Sequence, residues 1–246
     1  MNGLQTALIT GGSHGLGRAL ATQLAERGVR VVIAARELAP LKAHAEALQR
    51  RGLHVFAVQA DVADKEAIYP LVAQATLLAG PIDILINNAS TLGPTPLRLL
   101  ADTDCEDLEL ALGVNVVGAF RLTKALLGSM LLRKRGVVVN ITSDASVQSY
   151  ATWGAYGASK AALDQLTRIW AAELPENAGI RVFAVDPGEM DTRMHQAAVP
   201  DADRSALAAP EDAARHIVDM IASAEPAAHG ARVEVATWRN RHASAA

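Results

Sequence analysis

TGGSHGLG, residues 10 to 17, joins a strand-like run to a helical pattern, and its reading decides the fold. Its glycines fall at Gly11, Gly12, Gly15 and Gly17, a departure from the common G-x-G-x-x-G spacing. The physical logic of such a loop is unchanged. Glycines let the chain turn tightly and bring backbone N–H groups against a pyrophosphate, while the following helix offers its positive end. Placed after a first strand, the loop reads as the phosphate turn of a nucleotide-binding α/β sheet. The bland alternative is a flexible strand-to-helix turn.

The rest of the chain has the alternation that such a sheet needs. LQTALIT (4–10), VRVVIAA (29–35), LHVFAVQ (53–59), IDILIN (82–87), GVVVNIT (136–142), IRVFAVD (180–186) and ARVEVAT (231–237) read as strands. Several are apolar at nearly every position, as expected of strands buried on both faces of a parallel sheet. Helical patterns lie between them, at about 15–27, 37–51, 64–79, 105–134, 154–174 and 210–224. Right-handed crossovers then give an α/β fold: a Rossmann-type, doubly wound parallel sheet of about seven strands with helices on both faces. Without a long linker or an internal repeat, residues 1–246 read as a single domain, with 239–246 (RNRHASAA) as a frayed tail.

Composition narrows the function. Half of the 246 residues are hydrophobic and only 4 % are aromatic, so the core is built from Ala, Val, Leu and Ile. A net charge of −3 with no basic block argues against nucleic acid and anionic membranes as partners. No apolar run approaches the ~18 residues of a membrane span, and the N-terminus reads as a strand with no signal peptide. Cys105 is the lone cysteine, which precludes an internal disulfide and fits a reducing cytoplasm. No histidines pair at i, i+4, and with one cysteine no metal site is expected.

Two further stretches carry chemistry. The second strand ends Ala34-Ala35-Arg36, where a reader of NAD would place an acid for the ribose hydroxyls. An arginine there suits a 2′-phosphate, so NADP(H) is expected over NAD(H). His14 would add a donor if protonated; Arg36 and His14 are otherwise solvated residues. In YGASK (156–160), Tyr156 and Lys160 stand one helical turn apart. A free tyrosine holds its proton to about pH 10, and a nearby positive charge lowers that value toward working pH.

With TGGSHGLG, Asp61-Val62, Asn87-Asn88-Ala89-Ser90, Asn115 and YGASK in register, the chain resembles the short-chain dehydrogenase/reductase family along nearly its whole length. The resemblance implies a catalytic set of Asn115, Ser143, Tyr156 and Lys160. Tyr156 would be the general acid/base, and Ser143, thirteen residues earlier, would donate to the substrate oxygen. Lys160 would serve both the tyrosine and the nicotinamide ribose, and Asn115 would hold a water. For the cofactor it implies Thr10, Gly11, Ser13, His14, Gly15, Leu16 and Gly17 in the loop, with Arg36, Asp61, Val62 and Asn88. Tyr156, Lys160, Pro187, Gly188, Met190 and Thr192 complete that set. Ser90 replaces a family glycine and is expected to touch no group needed for chemistry.

The expected activity is interconversion of a carbonyl and a secondary alcohol on a small molecule. The competing reading is a non-catalytic NADP-binding sensor or interaction module. A homo-oligomer, dimer or tetramer, is implied by resemblance alone. Glu189 and Asp191, in the loop before Thr192, either bias the pocket against anionic substrates or face water. Tyr150 and Trp153 either line the substrate pocket or pack in the core. Residues 193–209 are expected to cover the substrate, and nothing in them identifies it.

Overall fold

A computed structural model of the protein describes residue 3, residues 5–223 and residues 229–238. The tail expected at 239–246 lies outside the described residues. The strands are β1 (Thr6–Thr10), β2 (Arg30–Ala35), β3 (Val55–Gln59), β4 (Ile84–Asn87), β5 (Gly136–Ile141), β6 (Ile180–Asp186) and β7 (Arg232–Glu234). They form one seven-stranded sheet in the order β3-β2-β1-β4-β5-β6-β7. Every neighbouring pair is parallel, from Leu8 beside Val32 to Val185 beside Val233.

Period-two alternation sends each strand's side chains into two layers. On β1, Ala7 and Ile9 enter one core and Leu8 the other. The first core holds α1 (Gly15–Glu26), α2 (Leu38–Gln49) and α8 (Pro210–Ala222), through Leu20, Leu24, Leu41, Ile217 and Ile221. The second holds α3 (Ile68–Ala79) and α5 (Ala119–Arg133), through Leu71, Leu122, Leu126 and Met130, with Trp170 of α6 (Gly154–Glu173) against them. Below the sheet, fully buried Asp83 accepts from the Gln5 N–H at 2.9 Å and from Arg135 at 3.0 Å, and it pairs with Arg133.

Three expectations need correction. The helix expected at 105–134 is α4 (Cys105–Leu112), a π-helical segment at Gly113–Gly118, and then α5. Such bulges recur at functional sites, and this one carries Asn115. The whole run, Cys105–Arg133, is 29 residues long and reaches a mean hydropathy of 1.5, enough by length and composition to cross a membrane, where no such run was expected. Its apolar character is explained by the core it fills, since 44 % of its most apolar 18-residue window is buried and α5 packs on α3 and β5. Finally, the last strand stops at Glu234 rather than 237, and 235–238 are helical. Val235 and Trp238, three residues apart, are both buried in the first core, and that i, i+3 pairing outweighs the alternating pattern of ARVEVAT.

Candidate active site

Sheet order reverses at β1, with β2 on one side and β4 on the other, and a cavity of about 680 Å³ opens at the carboxyl ends of these strands. That is where doubly wound sheets bind ligands. Gly11 and Gly15 have φ of 67° and 49°, values that side-chain-bearing residues rarely adopt. At Gly17 a Cβ would lie 2.3 Å from the Gly11 carbonyl oxygen and 2.5 Å from Asn88 Nδ2, so the turn closes only on glycine. The N-cap of α1, His14, makes no side-chain cap, and no acid stands in the first turn. The helix therefore presents open N–H groups beside a cavity, a cradle that suits a pyrophosphate.

Most residues expected to touch the cofactor line this cavity: Gly11, Ser13, His14, Gly15, Leu16, Arg36, Asp61, Val62, Asn88, Tyr156, Lys160, Pro187, Gly188, Met190 and Thr192. Thr10 and Gly17 do not; they stand behind the wall. Thr10 Oγ1 accepts from the N–H groups of Asn88 (3.1 Å) and Ala89 (3.0 Å), while Asn88 Nδ2 donates to the carbonyls of Thr10 (2.9 Å) and Gly11 (3.2 Å). These bonds stitch the glycine loop to the end of β4. Burial, Arg193 and Arg18 lower the His14 pKa, with Glu37 acting the other way, which disfavours the protonated donor considered from sequence.

Three of the four residues in the resemblance's catalytic set converge at the far end of the cavity. Ser143, Tyr156 and Lys160 line it, with Tyr156 and Lys160 both buried on α6. Lys160 Nζ donates to the Ile141 carbonyl at 2.8 Å and lies 5.4 Å from the Tyr156 ring centroid. The expected lowering of the tyrosine is not what this state shows. Burial pushes Tyr156 up to about 12; Asp186 and Asp144 push the same way, and the Ser143 and Ser90 hydroxyls act against them. Burial also brings Lys160 down to about 8, against the pull of Asp164 and Asp186. Desolvation outweighs the lysine's field because both groups are shut away from water.

Asn115 is buried and does not line the cavity. Its Nδ2 donates to the Thr91 carbonyl (2.9 Å) and Ser159 Oγ (2.8 Å), and its Oδ1 accepts from Ser90 Oγ (3.1 Å) and the Thr91 N–H (2.8 Å). All four hydrogen-bonding positions of the amide are filled, so its side chain has none left for a water. The expectation for Ser90 is corrected: its hydroxyl bonds Asn115 and bears on Tyr156, which a glycine could not do.

Some neighbours escaped the sequence reading. Asp144 accepts from Ser143 Oγ at 2.8 Å, from Tyr150 Oη at 2.7 Å and from the Ala145 N–H at 2.9 Å. Asp186, at the end of β6, is paired with Arg232 of β7 at 2.6 Å. Adjacency to Ser143 and to Pro187-Gly188 was the available signal for both. Glu37, beside Arg36, and Arg193 also line the cavity. Tyr150 and Trp153 line it too, so the pocket reading holds for them. Glu189 lines it, whereas Asp191 is turned to Arg204, two bonds of 3.0 Å, and to Gln196 at 2.8 Å. Thr192 caps α7 (Arg193–Ala198) by accepting from the His195 N–H at 3.2 Å.

A doubly wound sheet with a phosphate cradle at one end of a cavity and a serine, tyrosine and lysine at the other defines a dinucleotide-dependent oxidoreductase. The chain belongs to the short-chain dehydrogenase family, whose model matches residues 5–203. It is 38 % identical over 200 residues to 2-(R)-hydroxypropyl-CoM dehydrogenase of Xanthobacter autotrophicus, covering 78 % of this chain and 77 % of that one. Among solved structures it is similar to a single-residue variant of actinorhodin polyketide ketoreductase with NADPH, with a TM-score of 0.86, 27 % identity, and coverage of 96 % and 97 % of the two chains. An alcohol dehydrogenase from the archaeon Thermococcus sibiricus complexed with 5-hydroxy-NADP gives a TM-score of 0.82 at 26 % identity, covering 94 % and 95 %. The protein is an NAD(P)-dependent oxidoreductase acting on alcohol or carbonyl groups.

Proposed function

We propose that the protein is an NADP(H)-dependent enzyme interconverting a carbonyl and a secondary alcohol, with Tyr156 as general acid/base. The observation that carries this is the convergence of Ser143, Tyr156 and Lys160 on one wall of the cavity whose other end is the glycine cradle. NADP(H), when bound, supplies or accepts the hydride. Arg36, with Arg193 close to His14, gives the adenosine end the positive charge that a 2′-phosphate calls for. NADPH and 5-hydroxy-NADP in the two similar structures agree with that choice.

At neutral pH the Tyr156 phenol is fully protonated and so is ready to give its proton to an oxygen gaining negative charge. Ser143 has one hydroxyl proton, given to Asp144 in this state. It must turn that proton to the substrate oxygen, and Asp144 then keeps the Tyr150 and Ala145 bonds. Lys160 holds its ammonium near the tyrosine ring and opposes the loss of charge balance when the proton leaves. Asn115 acts as a pin between the β4 end and α6.

The remaining expectations belong to the same reading. A cytoplasmic homo-oligomer is supported by the lone cysteine and by the exposed apolar side chains of Val117, Phe120 and Ile169 on α6 and the long helix. The test of function is NADPH consumption against a panel of neutral ketones and aldehydes. Turnover that falls by about 10²–10⁴-fold in Tyr156→Phe is the expected result, and undiminished turnover in that variant refutes the assignment.

A further inference from the structure

The catalytic end of the cavity is unbalanced in charge. Five carboxylates gather there: Asp144 and Glu189 on the cavity wall, and Asp164, Asp186 and Glu234 around Arg232. Two cations face them. Arg232 is engaged by Asp186 at 2.6 Å, Glu234 at 2.8 Å and Asp164 at 3.5 Å. Lys160 feels Asp164 and Asp186. Among the described residues, neither Asp144 nor Glu189 has a cation within ion-pair distance, although the field of Arg232 reaches Asp144. The arginines that line the cavity, Arg36 and Arg193, serve the glycine-loop end, Arg193 acting on His14; His195 stands by Asp191. At the glycine-loop end these arginines are matched by Glu37 and Asp61, whereas at the catalytic end the carboxylates outnumber the cations.

Asp144 is placed with respect to the reacting atom. Its Oδ1 is one hydrogen bond, 2.8 Å, from Ser143 Oγ, the group expected to hold the substrate oxygen. When that hydroxyl turns its single proton to the substrate oxygen, at about the same length, the carboxylate stays one residue away on the same wall, held by Tyr150 and the Ala145 N–H. On the same wall stand Tyr150 and Trp153, ring centroids 6.3 Å apart and inclined at 60°. Aromatic faces beside a carboxylate attract an organic cation.

We propose that the substrates of this site are 1,2-amino ketones and the corresponding amino alcohols, with the ammonium group held by Asp144 and the Tyr150–Trp153 wall. This rests on the function proposed above. In reduction the ketone carbon takes a hydride from NADPH and its oxygen takes the Tyr156 proton, giving the amino alcohol and NADP⁺; the ammonium is unchanged. Spacing favours the 1,2-arrangement, because an ammonium on Asp144 lies within reach of the carbon next to the carbonyl.

The experiment compares aminoacetone, 2-butanone and pyruvate, three ketones of similar size, with NADPH near neutral pH. A kcat/KM at least about tenfold higher for aminoacetone than for 2-butanone is expected, with pyruvate poorest; tenfold corresponds to about 1.4 kcal/mol. In Asp144→Asn the ratio of aminoacetone to 2-butanone should fall toward unity, whatever the absolute rates. Glu189→Gln should lower it less. Calorimetric titration of the NADP⁺-loaded protein with 1-amino-2-propanol and 2-butanol should show the same preference and the same loss. Turnover of 2-butanone as good as that of aminoacetone overturns the inference and leaves the proposed function standing, as does a ratio unmoved in Asp144→Asn. If that variant does not fold, the wild-type ratio and the titration decide. No turnover of any ketone overturns both.

Discussion

Replacing Lys160 with methionine removes a buried ammonium while nearly keeping its volume. For alcohol oxidation the proton acceptor must be ionised, and even with Lys160 in place burial holds Tyr156 at about 12, so that only about one part in 10⁴ is phenolate near pH 8. The Lys160 charge lies 5.4 Å from the ring centroid. At an effective dielectric constant near 20 that separation is worth about 3 kcal/mol, or roughly 2 pH units at about 1.4 kcal/mol per unit. In Lys160→Met the alkaline-going limb of kcat/KM for oxidation of a secondary alcohol should therefore move up by about 2 units. The rate near pH 8 should fall by roughly 100-fold. Reduction near pH 7 should lose less, since the phenol is protonated in both proteins. A pH–rate profile with an unmoved limb refutes the electrostatic argument. Titration of NADPH fluorescence should also show weaker cofactor binding, and unchanged affinity would remove the ribose contact from the lysine's role.

Cofactor choice rests on Arg36 and is checked by the same titration: NADPH should bind at least about tenfold more tightly than NADH, and Arg36→Asp should abolish that preference. Equal affinities in the wild type would show that the arginine does not read the phosphate. Stability has its own test at Asp83, which is fully buried between Arg133 and Arg135. Asp83→Ala leaves two arginines facing an empty site and should cost about 3–5 kcal/mol, lowering Tm by roughly 6–20 °C. A Tm change under a degree or two would show that the ion pairs add little to the backbone bonds around them.

How much was legible in the sequence depends on the range of the interaction. The fold class, the order of strands and helices, the glycine turn and the Ser143–Tyr156–Lys160 set follow from local periodicity, from the spacing of a few residues and from family resemblance. These signals are short-range or are repeated along the chain. They fail where packing from a distance intervenes. The end of β7 reads as a longer strand, but burial of Val235 and Trp238 turns the chain into helix. Asn115 is expected at the site from the resemblance, but that Thr91, Ser90 and Ser159, from two other segments, fill its side-chain amide is visible only in the fold. Asp191 reads as either a pocket acid or a solvated one, and Arg204, thirteen residues on, claims it. The protonation of Tyr156 is the sharpest case. YGASK puts a cation four residues from a phenol, which sequence alone reads as activation. Only the folded chain decides how much water each group loses and which carboxylates, Asp144 and Asp186, come to lie beside them. Desolvation and long-range Coulomb terms depend on the whole surrounding volume, and no local spacing carries that information.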